Sequence, residues 1–147
     1  MLRLSPQIHL QMLAHALDGL PLEACGLFAG LPDGDAVVQA GSVPDTTDAV
    51  VHHFYPCENE AQSSKVYTVG GRDFLRSDRD AENNGWQLLG VMHSHTHTDA
   101  YPSPTDVAQA PDPEWHYIIV SLRDDAPALR SYRIVDGQVN EEEVVIA

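Results

Sequence analysis

The chain has 147 residues, 43% of them hydrophobic, with 10 glycines and 10 prolines, a mixture that suits one globular domain over 1–147 and excludes a collagen-like or low-complexity chain. Eight basic residues stand against 22 acidic ones, a formal charge of −14 with Lys65 the only lysine, and since a nucleic-acid backbone is held by clustered Lys and Arg, no nucleic-acid partner is expected. No apolar run approaches the roughly 18 residues that span a bilayer and no basic-then-apolar leader opens the chain, so no membrane partner and a cytoplasmic location are expected.

In chain order, Ser5-Pro6 reads as a helix N-cap followed by proline at the first helical position, with Leu10, Leu13, Ala14 and Leu17 as its apolar stripe. Gly19 and Pro21 end that helix. The stretches 23–31 and 36–43 are short and apolar around Pro-Asp-Gly, the form of a hairpin. The stretch 43–60 is polar and reads as irregular, and 65–69 as a further strand. A charged helix is expected over 71–84, stopped by Asn83-Asn84-Gly85. The continuous apolar run 86–91 predicts a buried strand leading into Met92-His93-Ser94-His95. Ser103-Pro104-Thr105-Asp106 reads as the start of a short helix. Strands follow over 114–122 and 129–135, with Asp136-Gly137 as a tight turn into a last strand over 138–146.

His93 and His95 are two apart, so on a strand both side chains leave the same face and can converge on one ion. Asp106 is a candidate third ligand, because the loop 96–102 is long enough to fold back and present the next helix's first turn. Two imidazoles and one carboxylate suit Zn²⁺, one ion per chain, with a fourth tetrahedral position open to water. Zinc lowers the pKa of that water to about 7. A carboxylate must then take and return the proton, and Glu23 is the candidate, since it opens an apolar strand where an ionised group has no packing role. Ser103 can donate a hydrogen bond to the oxyanion formed when hydroxide adds to a carbonyl; such a donor contributes about 2.7–4 kcal/mol. The set is suited to metal-assisted amide hydrolysis.

Glu23 followed by His93-x-His95, seven residues and Ser103-x-x-Asp106 resembles the pattern of the JAMM or MPN+ (Mov34/MPN/PAD-1) zinc metallopeptidases. The likeness extends to the opening helix, to Pro21, Glu23, Cys25 and Gly26, to the run 92–106 and to the tail 129–137. The resemblance is to the short bacterial branch, and it covers most of the chain. It implies an α/β fold, a curved mixed β-sheet flanked by helices on a cytidine-deaminase-like plan. It implies further that His93, His95 and Asp106 bind zinc, that Glu23 is the general acid/base and that Ser103 steadies the tetrahedral intermediate. The implied substrate is a ubiquitin-like sulfur-carrier protein, cut after its C-terminal Gly-Gly to release cysteine or a short extension. Where relatives have His-Ser-His-Pro, this chain has Thr96 and then His97.

Other readings of the same residues exist. Ser103 to Asp106 is also a capping sequence, and the two roles are compatible. His97 reads as an exposed loop residue, because a fourth protein ligand would close the site. His52-His53 reads as loop or edge, since neighbours on a strand face opposite ways. Glu141-Glu142-Glu143 reads as a solvated strand edge. Cys25 and Cys57 match no paired-cysteine zinc pattern and read as buried free thiols, and so acidic a surface suits a salty medium. A non-enzymatic MPN-type scaffold is the rival function, but such domains lack one or more ligands. A nucleobase deaminase would need His-x-Glu and Pro-Cys-x-x-Cys, which are missing here. A structural or sensing metal site would bind zinc with no exchangeable water.

Overall fold

The computed structural model describes residues 1–32 and 48–147. Its elements are β1 (Leu2–Leu4), α1 (Pro6–Asp18), β2 (Cys25–Leu31), β3 (Ala49–Cys57), α2 (Gly71–Asn83) and β4 (Gln87–His95). They are followed by α3 (Pro104–Ala108), β5 (His116–Ser121), β6 (Ala128–Val135), β7 (Gln138–Glu142) and β8 (Val144–Ile146). The strands form one curved mixed sheet in the order β7-β6-β5-β4-β2-β3-β1-β8. Four pairings are antiparallel, β2 with β3 and β4, and β6 with β5 and β7, while β4 and β5 run parallel, as β1 does with β3 and β8.

Although β7 and β8 lie at opposite ends of this order, only Glu143 separates them in the chain. The sheet must therefore curl until its two edges meet. The strand expected over 138–146 divides at Glu143 because the chain leaves β6 and joins β1 there. Asp136 (φ 51°) and Gly137 (φ 76°) make the expected tight turn.

Both faces of the sheet are covered. On one, Ile8, Met12 and Ala16 of α1 pack with Phe28, Phe54, Leu89, Met92, Ile118 and Val120. The other face buries Leu27, Leu88, Val91, Tyr117 and Ile134 with Ala81 of α2. Central strands buried on both sides need continuous apolar runs, as 88–92 and 117–120 provide.

Of the stripe expected to bury α1 only Leu13 packs against the core: Leu10 is 63% and Leu17 49% exposed, while Ile8, Met12 and Ala16 are buried. Two apolar stripes run along this helix, and periodicity alone does not choose between them. In α2 likewise, Ser77 and Ala81 are buried, whereas Phe74 and Leu75 are exposed. Ser5 does cap α1, its hydroxyl accepting from the Ile8 amide at 3.1 Å.

Two further expectations change. Strand β3 occupies 49–57, half of the stretch read as irregular. Residues 65–69 form no strand; apart from one bridge between Asn59 and Val69, their backbone is tied to the Asn59 side chain instead. The strand expected over 36–43, and the hairpin with it, lies outside the described residues.

His52-His53 is strand rather than loop. Ala29 pairs with His53 and Gly30 with Val51, so His52 is the extra residue of a β-bulge. The bulge sets both rings beside Trp86, at centroid distances of 5.6 Å and 6.1 Å, against the simple alternation of faces. Among the described residues the edge part of the reading stands: on that side of β3 only Ala49 and Val50 pair, with β1.

Candidate metal centre

His93 and His95 both belong to β4, at the end of the buried strand that its apolar run predicts, beside the parallel end of β5. Carboxyl ends of parallel strands are where α/β sheets place ligands. The two residues are buried, at 2% and 4% exposure, so neither is a solvent-facing strand residue. Their Nε2 atoms stand 3.2 Å apart. Asp106, in the first turn of α3, brings Oδ2 to 3.2 Å from His93 Nε2 and 3.0 Å from His95 Nε2.

Among the described residues these three are the one group of His, Cys, Asp or Glu able to hold a metal ion. The triangle of 3.0–3.2 Å edges fits a tetrahedral zinc, whose N and O ligands at about 2.0–2.1 Å lie roughly 3.3 Å from one another. His95 Nδ1 is 2.7 Å from the Asp99 carbonyl oxygen, which only accepts, so that nitrogen donates and Nε2 keeps its lone pair for the centre. The His93 ring stacks on Tyr67 at 4.3 Å. Burial lowers the pKa of His93, favouring the neutral ring that binds metal. Burial would raise that of Asp106, but the two imidazoles against its Oδ2, together with the Ser103 amide, overcome it and hold the carboxyl well below the usual range.

α3 begins with a complete capping box: Ser103 Oγ accepts from the Asp106 amide at 3.1 Å, and Asp106 Oδ2 from the Ser103 amide at 2.8 Å. The cap fixes Ser103 and Asp106 as one unit. A hydroxyl accepting in this way still has its proton to donate.

Glu23 lies in the turn just before β2 rather than in the strand, and is 4% exposed. Its Oε1 is buried without a hydrogen-bond partner, an arrangement that calls for a ligand on a carboxylate. Burial pushes its carboxyl up to about 7; the His95 ring opposes the rise and the Asp106 carboxylate adds to it. Such a value is suited to taking and giving a proton at neutral pH.

Four residues that no sequence pattern singled out hold these groups. Ser94, between the two histidines, brackets the neighbour of Glu23: Ala24 N donates to its Oγ at 2.8 Å and Ser94 N to the Ala24 carbonyl at 2.9 Å. The buried Asn59 amide nitrogen is 2.9 Å from the Glu23 carbonyl oxygen. Tyr67 and Asp99 position the two rings. Asn59 and Tyr67 act through a loop whose path no local pattern reveals; for Ser94, its place between two candidate ligands was the available signal.

Two concavities adjoin the centre, one through Tyr67, which stacks on His93, and one through His95 itself. One, of about 410 Å³, is mostly apolar and lined by Leu27, Tyr67, Phe74, Val91 and Trp115. The other, of about 270 Å³, is lined by Glu23, Lys65, His95, Thr96, His97 and Ser103. His97 is exposed and outside the ligand triangle. Cys25 and Cys57 are free and buried, as expected, and burial pushes their thiols up to about 12 and about 11.

The sequence matches the prokaryotic homologs of the JAB domain over residues 5–135. It is 40% identical over 134 residues to the CysO-cysteine peptidase of Mycobacterium tuberculosis, a match covering 90% of this chain and 82% of that protein. The desampylase of Haloferax volcanii is 30% identical over 115 residues, 75% of this chain and 73% of the relative. A solution structure of a Desulfitobacterium hafniense protein superposes with a TM-score of 0.85 at 37% identity, covering 100% of this chain and 93% of the other. With a match of this extent, and the two histidines, aspartate and glutamate gathered at the end of β4, the chain belongs to the prokaryotic branch of the JAB family.

Proposed function

We propose that the chain is a zinc-dependent peptidase that hydrolyses the amide bond after the C-terminal Gly-Gly of a ubiquitin-like sulfur-carrier protein, releasing cysteine or a short extension. The observation that carries this reading is the buried Glu23 Oε1, without a hydrogen-bond partner, beside a ready triangle of two imidazoles and a carboxylate. The relatives add the substrate class, one being named for CysO-cysteine and another, from Thermus thermophilus, as a probable TtuB-protein conjugate cleaving protease.

His93 Nε2, His95 Nε2 and Asp106 Oδ2 would hold the ion. Zinc in that place supplies a Lewis acid and brings the pKa of water to about 7. Glu23 accepts the water proton on its carboxylate and delivers it to the departing amine, which its raised pKa permits. Ser103 donates a hydrogen bond from its hydroxyl to the oxyanion while α3 holds its oxygen in place. Glycine next to the scissile bond lets the substrate backbone approach closely, and the apolar trough along Tyr67 and Trp115 takes the residues before it. We place the reaction in the cytoplasm, where free thiols such as Cys25 and Cys57 persist.

The test is to incubate the zinc-loaded protein with sulfur carriers bearing C-terminal extensions and to weigh the products. Release of the extension, leaving a Gly-Gly end, is expected. Carriers recovered intact by a fully zinc-loaded protein would overturn the reading.

A further inference from the structure

We propose that Lys65 sets specificity by receiving the free α-carboxylate of the leaving amino acid, so that the site prefers a C-terminal extension of one residue over an isopeptide-linked protein. This rests on the hydrolase reading above.

Lys65 is the only lysine in a chain of charge −14, and it lines the 270 Å³ cavity that also contains Glu23, His95 and Ser103. Among the described residues it has no ion-pair partner, whereas Arg76, Arg123 and Arg130 are each engaged by a carboxylate. An exposed ammonium held at the mouth of a catalytic cavity is a binding element for an anion.

The backbone that carries it is anchored on both sides. Ser63 O accepts from the Glu23 amide at 2.9 Å, Ser64 O from Thr96 Oγ1 at 3.1 Å, and Val66 O from Asn59 Nδ2 at 3.0 Å. The Lys65 amide itself donates to Ser63 Oγ at 3.0 Å. Three ties thus connect residues 63, 64 and 66 to the acid/base turn, the end of β4 and the buried Asn59. The loop position of Lys65 is fixed relative to Glu23, and only its side chain need order on binding.

The two concavities differ in whether ionisable side chains line them, which assigns a direction to the substrate. The uncharged one lies along Tyr67, on the His93 side, and suits the acyl part, a protein tail. The one lined by Glu23, Lys65 and His97 lies on the His95 side and suits the amine that departs. When a single C-terminal residue leaves, its nitrogen carries a carboxylate two bonds away. A lysine side chain of a conjugated protein carries none there. An incoming carboxylate is repelled by Glu23, Asp106 and the acidic surface, and Lys65 is the cation in this cavity that offsets the repulsion.

The experiment compares two carriers that differ only at the last atom group: Gly-Gly followed by one residue ending as carboxylate or as carboxamide. The zinc-loaded wild type should favour the carboxylate in kcat/KM on the order of tenfold, mainly through KM, and added salt should reduce the preference. Lys65→Met should bring the ratio near one and Lys65→Arg should keep most of it. Equal ratios in wild type and Lys65→Met, or no preference in the wild type, overturn the proposal. Binding of the same two tails to Glu23→Gln protein, read by calorimetry, must show the same preference. If the wild type cleaves neither carrier, the hydrolase reading fails, and this binding ratio then decides Lys65 by itself.

Discussion

Glu23 carries two separable consequences, one for chemistry and one for stability. Glu23→Gln should keep zinc, since the triangle of ligands is untouched, and lose turnover by at least about 10²-fold. Metal analysis and product assay on one sample check both halves. In chelator-treated protein the sign for stability is opposite: the folded carboxyl titrates at about 7 against an ordinary 4.5, so the folded state loses stability as pH rises through that window. Glu23→Gln should then be more stable than the parent at pH 8, by roughly 1–3 kcal/mol, with the gain gone near pH 4, as urea unfolding at both values would show. His95→Ala removes one corner of the triangle and leaves Asp106 with one imidazole partner. Zinc content should fall to background; stoichiometric zinc in that variant would refute the ligand set.

At the scale of elements, the loop between β3 and α2 does the work that a strand was expected to do. The Asn59 side chain bonds the carbonyls of Glu23, Ser63 and Val66 and the amides of Ala61 and Thr68. Asn59→Ala would orphan several of these groups at once, so a loss of about 2–4 kcal/mol is expected. Because the loop carries Tyr67 and abuts Glu23, kcat/KM should fall more than zinc content does. A variant that melts like the parent and turns over normally would show that the loop holds itself. The other end of α1 contributes too: the His15 ring nitrogen stands 2.8 Å from the Cys25 carbonyl oxygen and 3.2 Å from that of Cys57, fastening the helix to the start of β2.

For the molecule as a whole, the decisive feature is the meeting of the sheet's two edges. At that seam Glu142 takes bonds from His116 Nδ1 at 2.5 Å and Ser131 Oγ at 2.7 Å, and lies 3.4 Å from the N-terminal amine. Burial would raise its pKa, but the bonds from His116 and Ser131 and the amine's charge lower it. A depressed acid contributes stability above its unfolded value and loses it as pH falls through the folded one. Glu142→Gln should therefore cost about 1–3 kcal/mol at pH 7 and progressively less in acid, a difference in slope that thermal melts between pH 3 and 7 would reveal. The remaining acids repel one another. Raising salt from about 0.01 to 1 M shortens the Debye length from about 30 to 3 Å and should raise Tm; a melt that salt leaves unchanged would remove the salt argument.

How much of this was legible beforehand depended on the range of the interaction concerned. The capping box of α3, the Ser5 cap, the turn at Asp136-Gly137 and the same-face spacing of His93 and His95 are local, and residue order alone determined them. The spacing of Glu23, His93, His95, Ser103 and Asp106 likewise identified the family from the chain alone. Three things were decided only by tertiary structure. α1 had two apolar stripes, and the shape of the sheet chose Ile8, Met12 and Ala16. The His52-His53 pair escaped the rule of alternating faces because a bulge arises from pairing with β2. Glu142 turned from a presumed surface charge into a partner of buried His116 because β7 pairs with β6 and sets it opposite Ser131, one strand from His116. Short-range geometry is written into neighbouring residues; burial, register and the approach of Lys65 to Glu23 follow from contacts between distant segments, which no local pattern encodes.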